Sequence, residues 1–323
     1  MQGKVLPEPN TMAPVYAGID VCKEWLDVDV PARAARLRVS NDRYGRRRLN
    51  RELAKFAVRQ VVMEATGKYH RAAQRSLHAA GFAVALVDPL RARLFAKACG
   101  YLAKTDRIDA RLLALMGEAL EPTALPPPSE ALLELQELVN ARTAATPERT
   151  ALTNRRGAAQ TGFLKAELGR RLAAIKSHLE RLDAEIERRI QAEPALARRY
   201  VILMSIPGVG PVTAAVLIAN FAELGACSSK QAAMLAGVAP IACESGERIG
   251  HRAIKGGRSS VRNAVYMAAL SAASHNDGLA AFAKRLRQAG KPAKVVLVAV
   301  MRKLIILANT LINQNRLWSP IAP

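Results

Sequence analysis

The chain has 323 residues, half of them hydrophobic but only 4% aromatic, which is enough apolar material for two cores and a connector dominated by helix packing. A formal charge of +21 at pH 7 exceeds what solubility requires and is spread over most segments, which points to a polyanionic partner. Cys22, Cys99, Cys227, Cys243 and five histidines are scattered without zinc-site spacing, so a disulfide framework and a zinc site are excluded and reduced thiols in a cytosolic protein are expected.

Residues 1–14, with Pro7-Glu8-Pro9-Asn10, read as a short disordered leader lacking the apolar run of a signal segment. Val15 to Val21 follows as a buried strand with Asp20 near its end. Trp25 to Val30 and Arg36 to Val39 are two more strands, meeting around Pro31-Ala32. Asn41 is expected to cap a basic helix, Asp42 to Phe56, rich in arginine. Gln60 to Glu64 is a fourth strand ending in an acid, and Ala65-Thr66-Gly67 leads into a helix closed by Gly81. Phe82 to Val87 is a fifth strand, ended by Asp88-Pro89, where Asp88 suits a turn better than a site. Helices from Leu90 to Ala98 and from Asp106 to Glu118 complete the domain, the second N-capped by Thr105. Asp106 and Asp109 then share one face of its first turn. Acids favour helix N-termini on their own account, so this pair takes its meaning from where other acids lie.

Three strands, helix, strand, helix, strand, helix is the order of a ribonuclease H-like fold, over residues 15–121. Parallel sheets carry sites at strand ends, so Asp20, Glu64, Asp106 and Asp109 are expected to converge. Four carboxylates together are strongly unfavourable without a cation, and oxygen-only donors suit Mg²⁺, with Mn²⁺ the next choice.

Glu121 to Pro128 reads as a stiff linker opening a connector, 122–199. Ser129 caps a helical region to about Gln191, broken near Pro147. Its stripe of Leu164, Leu168, Leu172, Ile175, Leu179, Leu182 and Ile186 fits an antiparallel hairpin or coiled coil, either a spacer or a pairing element; a stripe outside a compact core needs a partner, and dimerisation is expected.

The mainly helical last region, 200–318, opens with Ile206-Pro207-Gly208-Val209-Gly210-Pro211, which looks like a helix-hairpin-helix element. Gly208 and Gly210 allow a tight turn before a helix whose free N–H groups suit a phosphate, although a plain interhelical turn has the same composition. Farther on, Arg252, Lys255, Arg258 and Arg262 among glycines resemble a phosphate clamp beside Ser245. Alone, Ser245-Gly246 is a turn dipeptide. The apolar run from Val295 to Ala308 is interrupted by Arg302 and Lys303, as in a core helix and not a membrane span.

Taken together, Gly18-Ile19-Asp20-Val21, Met63-Glu64-Ala65-Thr66-Gly67, Ala103 to Ala110, the Gly208-Gly210 turn and the Pro240 to Gly246 loop resemble the insertion-sequence transposases with an N-terminal Asp-Glu-Asp-Asp domain and a C-terminal serine domain, the bridge-RNA-guided recombinases. The similarity spans roughly residues 15 to 315 and includes Gly290 to Lys294 and Met301 to Leu304. It implies a RuvC-like first domain, Asp20, Glu64, Asp106 and Asp109 as ligands of Mg²⁺, and Ser245 as nucleophile. It further implies double-stranded DNA at element ends and targets, a non-coding guide RNA, and a homodimer assembling to a tetramer in which the serine of one protomer completes the metal site of another. The setting would be the bacterial cytoplasm, on the nucleoid, with no membrane partner. Cys243-Glu244 departs from the His or neutral polar residue expected before the serine. The residues also admit a metal-dependent junction-resolvase-like nuclease using water, or a noncatalytic nucleic-acid-binding or RNA-chaperone protein.

Overall fold

The computed structural model describes residues 14–65, 67–101, 106–242, 244–245, 248–249 and 252–320, apart from the side chains of 106–108, 244–245 and 248–249. The expected leader, the Thr105 cap, Cys243 and Gly246 lie outside the described residues. Two compact units divide the chain, Met1–Pro128 and Ser129–Pro323.

Five strands form the first unit's sheet: β1 (Val15–Val21), β2 (Trp25–Val30), β3 (Ala35–Ser40), β4 (Val58–Glu64) and β5 (Val84–Val87). Their order is β3-β2-β1-β4-β5, with β1 antiparallel to β2 and parallel to β4, and β4 parallel to β5. Alternation along β1 sends Val15, Ala17, Ile19 and Val21 to one face, where they pack with Leu49 and Leu53 of α1 (Arg43–Leu53) and Ala73 and Leu77 of α2 (His70–Ala79). The opposite face carries Tyr16, Gly18 and Asp20. Val62, Ala85 and Val87 of this face pack with Leu113 and Met116 of α4 (Asp106–Leu120), and Phe95 of α3 (Pro89–Ala98) joins them.

Two caps differ from expectation. Asp42, not Asn41, caps α1, its carboxylate accepting from the Gly45 N–H at 2.7 Å, while the Asn41 amide donates to the carbonyls of Cys22 and Tyr69. Asp88 is an N-cap as well, accepting from Leu90 N–H at 2.8 Å with Pro89 in the first helical turn. The proline-rich stretch after α4 is tied back to the sheet: Gln60 donates to the Pro122 carbonyl, Tyr16 to the Glu121 carboxylate, and Leu125 N–H to the Val84 carbonyl.

The second unit opens with α5 (Glu130–Ala158) and α6 (Gly162–Ala192), a hairpin with a short connection. Pro147 does not break α5. A proline inside a helix costs about 3 kcal/mol, and packing along α6 on both sides of it offsets that cost. Leu168, Leu172, Leu179 and Ile186 are buried, and Leu135, Val139, Ala145 and Leu152 are buried on α5. The stripe therefore has its partner within the chain, so it does not by itself demand a second protomer. Arg142–Asp183 and Arg189–Glu134 ion pairs join the two helices.

The remaining helices are α7 (Pro194–Met204), α8 (Pro211–Asn220), α9 (Ser229–Leu235), α10 (Ser259–His275), α11 (Asp277–Gln288) and α12 (Ala293–Asn313). They share one core, into which the hairpin sends Leu135, Val139, Ile186 and Ile190. Among the described residues α12 alone is long and apolar enough to cross a membrane; it buries Val296, Val300, Leu304, Ala308 and Leu311 in this core. Two short pairs, β6 (Pro240–Ile241) with β9 (Ala253–Ile254) and β7 (Glu244–Ser245) with β8 (Arg248–Ile249), shape the loop between α9 and α10.

Candidate functional site

Position on the sheet brings the first unit's acids together. Ile19 pairs with Met63 across the parallel β1–β4 ladder, so the next residues on each strand, Asp20 and Glu64, stand level at neighbouring strand ends and on the same face. Helix α4 covers that face and runs antiparallel to β1: Gly117 lies against Tyr16 and Val62, while Ala110 and Ala114 lie against Gly18. Its first turn, with Asp106 and Asp109, is thereby set at the strand ends that carry Asp20 and Glu64.

Gly18 makes this approach possible. A Cβ there would overlap the Ala110 carbonyl oxygen and the Ala114 nitrogen, so any other residue would push α4 off the strand.

Glu64 and Asp109 line one cavity of about 210 Å³, closed by Leu112, Leu113 and Met116 and bordered by Arg93, Lys97 and Tyr101. Asp20 accepts from its neighbour Val21 N–H at 3.0 Å. The Asp106 side chain lies outside the described residues, and among the described residues no three His, Cys, Asp or Glu side chains form a metal-holding group. The donors that do meet are carboxylate oxygens in a concave site, which fits a hard divalent cation better than a soft one.

Two features of this face escaped the sequence reading. Asp27 and Asp29 of β2 are only 8% and 3% exposed. Each is matched by a residue directly across on β3: Arg38 grips Asp27 through two hydrogen bonds of 2.8 Å, and Arg36 reaches Asp29 at 2.8 Å. Asp27 also pairs in register with Asp20, so a neutralised acid stands beside the site. The alternation of Leu26-Asp27-Val28-Asp29-Val30 against Arg36-Leu37-Arg38-Val39 is the signal that would have found them. Arg93 and Lys97 were missed too; their i, i+4 spacing on α3 puts both on one side of that helix.

In the second unit Gly208 takes φ +99° and lies so close to Ala272 of α10 that a Cβ would strike its backbone. Gly210 precedes α8 with no side-chain cap, and Pro211 follows at the first turn. The first turn of α8, without a side-chain cap, adjoins a shallow recess lined by Gly208, Gly210, Thr213 and Ser271.

The basic candidates separate. Arg258 holds Glu223 with two bonds of 2.6 Å and lies over the Phe221 ring, a structural pairing and not an open clamp. That guanidinium holds the Glu223 carboxyl below its ordinary 4.5. Arg262 donates to the Gly256 carbonyl at 2.7 Å and braces the glycine loop. Lys255 and Arg252 are exposed beside the loop of Ser245, whose own side chain lies outside the described residues. Cys22 and Cys99 are exposed free thiols, and Cys227 is a half-buried one.

Comparison with known proteins gives a consistent result. Residues 17–161 match a DEDD-type transposase family model, described as a transposase, and residues 200–284 match the transposase IS116/IS110/IS902 family. The chain is 28% identical over 316 residues to the pilin gene-inverting protein of Moraxella bovis, covering 94% of this chain and 98% of that protein. Its counterpart in Moraxella lacunata is 30% identical over 261 residues, 79% of this chain and 80% of that protein. A probable family 20 transposase of Pseudomonas aeruginosa is 26% identical over 315 residues, covering 85% and 91%.

Proposed function

This chain belongs to the IS116/IS110/IS902 family of transposases and is an enzyme of DNA recombination, and on that premise we propose that it excises and inserts a mobile element as an RNA-guided, serine-using, site-specific recombinase. One observation carries the reading. Glu64 and Asp109, from a strand end and a helix start, line one cavity beside the strand end of Asp20.

The mixed sheet in the order β3-β2-β1-β4-β5 supports a ribonuclease H-like, RuvC-like first domain. The family's DEDD domain implies dependence on a divalent metal ion. Asp20, Glu64, Asp106 and Asp109 would hold it, with Mg²⁺ the ion we favour and Mn²⁺ a substitute. When bound, such an ion supplies charge neutralisation at the scissile phosphate. Arg93 and Lys97 border the cavity and hold the flanking phosphates of the strand.

Ser245 supplies the nucleophile. Its Oγ forms a bond to phosphorus as a bridging P–O bond of the DNA breaks; the hydroxyl proton passes to solvent and the departing oxygen takes one up. The phosphoserine ester retains the energy of the broken bond, so strand exchange and rejoining need no nucleotide hydrolysis. Lys255 and Arg252 beside the loop, and the first turn of α8 after Pro211, hold the DNA backbone. Base pairing by a guide RNA supplies sequence choice, and the high positive charge suits binding both nucleic acids. Protomer pairing in a homodimer, and then a tetramer, uses the hairpin, whose tip exposes Phe163 and Leu164 at 77% and 44%. The working setting is the bacterial cytoplasm.

The test incubates protein purified with its co-expressed flanking RNA with labelled element-end DNA and Mg²⁺, and seeks a protein-linked strand on a denaturing gel. Wild type is expected to form the adduct and Ser245→Ala to lose it. Cleavage that persists without an adduct in the variant is the signature of the alternative, a structure-specific nuclease in which water attacks.

A further inference from the structure

A second cavity, of about 1180 Å³, lies in the second unit between α11, α12 and the β6–β9 pair. Its wall is apolar, with Phe282 of α11 and Val298 and Ile306 of α12. Its basic residues are Arg252, Lys294, Arg302 and Lys303, and no acid lines it among the described residues. Helix α12 buries Val296, Val300 and Leu304 in the core, and Val298 and Ile306, partly buried against that core, also line the groove. The Lys303 ammonium stands 4.5 Å from the centroid of the Phe282 ring.

An independent feature points to a ligand. Asn276, 4% exposed, lines the same groove. Its side-chain oxygen caps α11 by accepting from Leu279 N–H at 3.2 Å, while its amide nitrogen is buried and has no partner. A buried donor left unsatisfied is costly and persists where something else satisfies it.

We propose that this groove takes the base of one unstacked nucleotide of a single DNA strand, with the adjoining phosphates on the cationic residues. A nucleobase has an apolar face for Phe282 and Val298, edge acceptors for the Asn276 amide, and flanking phosphates for Arg302 and Lys303. An apolar protein helix would leave the cationic rim of Lys294, Arg302 and Lys303 without a charge partner, whereas a nucleic-acid strand supplies one. DNA is the occupant because Pro240 and Arg252 to Ile254, which line the groove, also bracket the loop of Ser245. DNA as occupant rests on Ser245 acting as nucleophile; the groove itself does not.

The test measures anisotropy of the full-length protein with a fluorescein-labelled 12-nucleotide oligothymidylate and an abasic oligomer of equal length, in EDTA so that no strand is cut. Wild type is expected to bind the thymidylate roughly tenfold more tightly than the abasic strand. Val298→Trp, which fills the groove, is expected to lose that preference with unchanged circular dichroism. Should Val298→Trp unfold, the exposed pair Arg302→Gln and Lys303→Gln keeps the question open to test and is expected to weaken both strands by roughly tenfold. Equal wild-type affinity for based and abasic strands overturns the proposal. So does a preference that survives in Val298→Trp, or affinity unchanged in the double variant. Tighter, groove-dependent binding of oligouridylate overturns the choice of DNA, and a changed sedimentation state in Val298→Trp identifies a second copy as occupant instead. Because no cleavage enters the assay, failure of Ser245 as nucleophile would leave its outcome untouched.

Discussion

Two sets of carboxylates occupy the same face of the first unit's sheet, and position alone separates them. Asp27 and Asp29 sit within β2, each opposite an arginine on β3, where the antiparallel register forces acid and base together. Asp20 and Glu64 sit at the ends of parallel neighbours, where the β1–β4 ladder runs out and the first turn of α4 brings more acid. A mid-strand carboxylate can be neutralised by its cross-strand neighbour. At a strand end the next layer is a helix N-terminus and a cavity, where the carboxylates of Glu64 and Asp109 line a concave site suited to a cation.

The sharpest way to break this comparison is to neutralise one member of each set. Glu64→Gln is expected to lower strand cleavage by roughly 10²- to 10³-fold, the scale of losing a transition-state charge partner, with an unchanged or raised melting temperature. A gel-based rate and a thermal melt decide it; a normal rate would remove the acids from the chemistry. Gly18→Ala tests how the sites are brought together. Overlap with the α4 backbone is expected to cost about 3 kcal/mol in urea unfolding and to reduce cleavage together with stability.

Asp27→Asn should behave in the opposite way to Glu64→Gln. Its loss leaves Arg38, itself half-exposed and able to reach water, so the expected destabilisation is about 1–2 kcal/mol, with cleavage near wild type when measured well below the melting temperature. A thousandfold loss of activity in this variant would merge the two sets into one.

The smallest effect concerns the second unit's own half-buried pair. The Glu223 carboxyl is held below 4.5 in the folded chain by Arg258, so its stabilising contribution is present above 4.5 and is lost as pH falls through the lowered folded value. Glu223→Gln is therefore expected to flatten the acid limb of stability against pH and leave the alkaline limb alone, as read by melting temperature from pH 7 to pH 3.

Much of this could be read from the chain itself because it is local. Alternation and short turns located all five strands within a few residues, and β1 and β2 at the residues where they lie. The glycine turn at 208–210 and the helices on both sides of it were equally legible. What failed was decided by neighbours distant in sequence. Pro147 signals a break, yet α6 packs alongside and α5 runs through. The stripe on α6 reads equally as half of a hairpin or as a pairing element, and the structure shows the hairpin, with α5 of the same chain against it. Arg258 signals a phosphate clamp, and Glu223 already occupies it.

By itself, then, the sequence determined the order of elements, the acids at the strand ends and the large positive charge, since hydrophobic period, turn chemistry and composition are properties of short segments. Only the tertiary structure decided which charges are neutralised within the fold, how closely α4 approaches Gly18, and that Glu64 and Asp109 share a cavity. Those outcomes depend on register and interatomic distance between segments, which no local pattern carries.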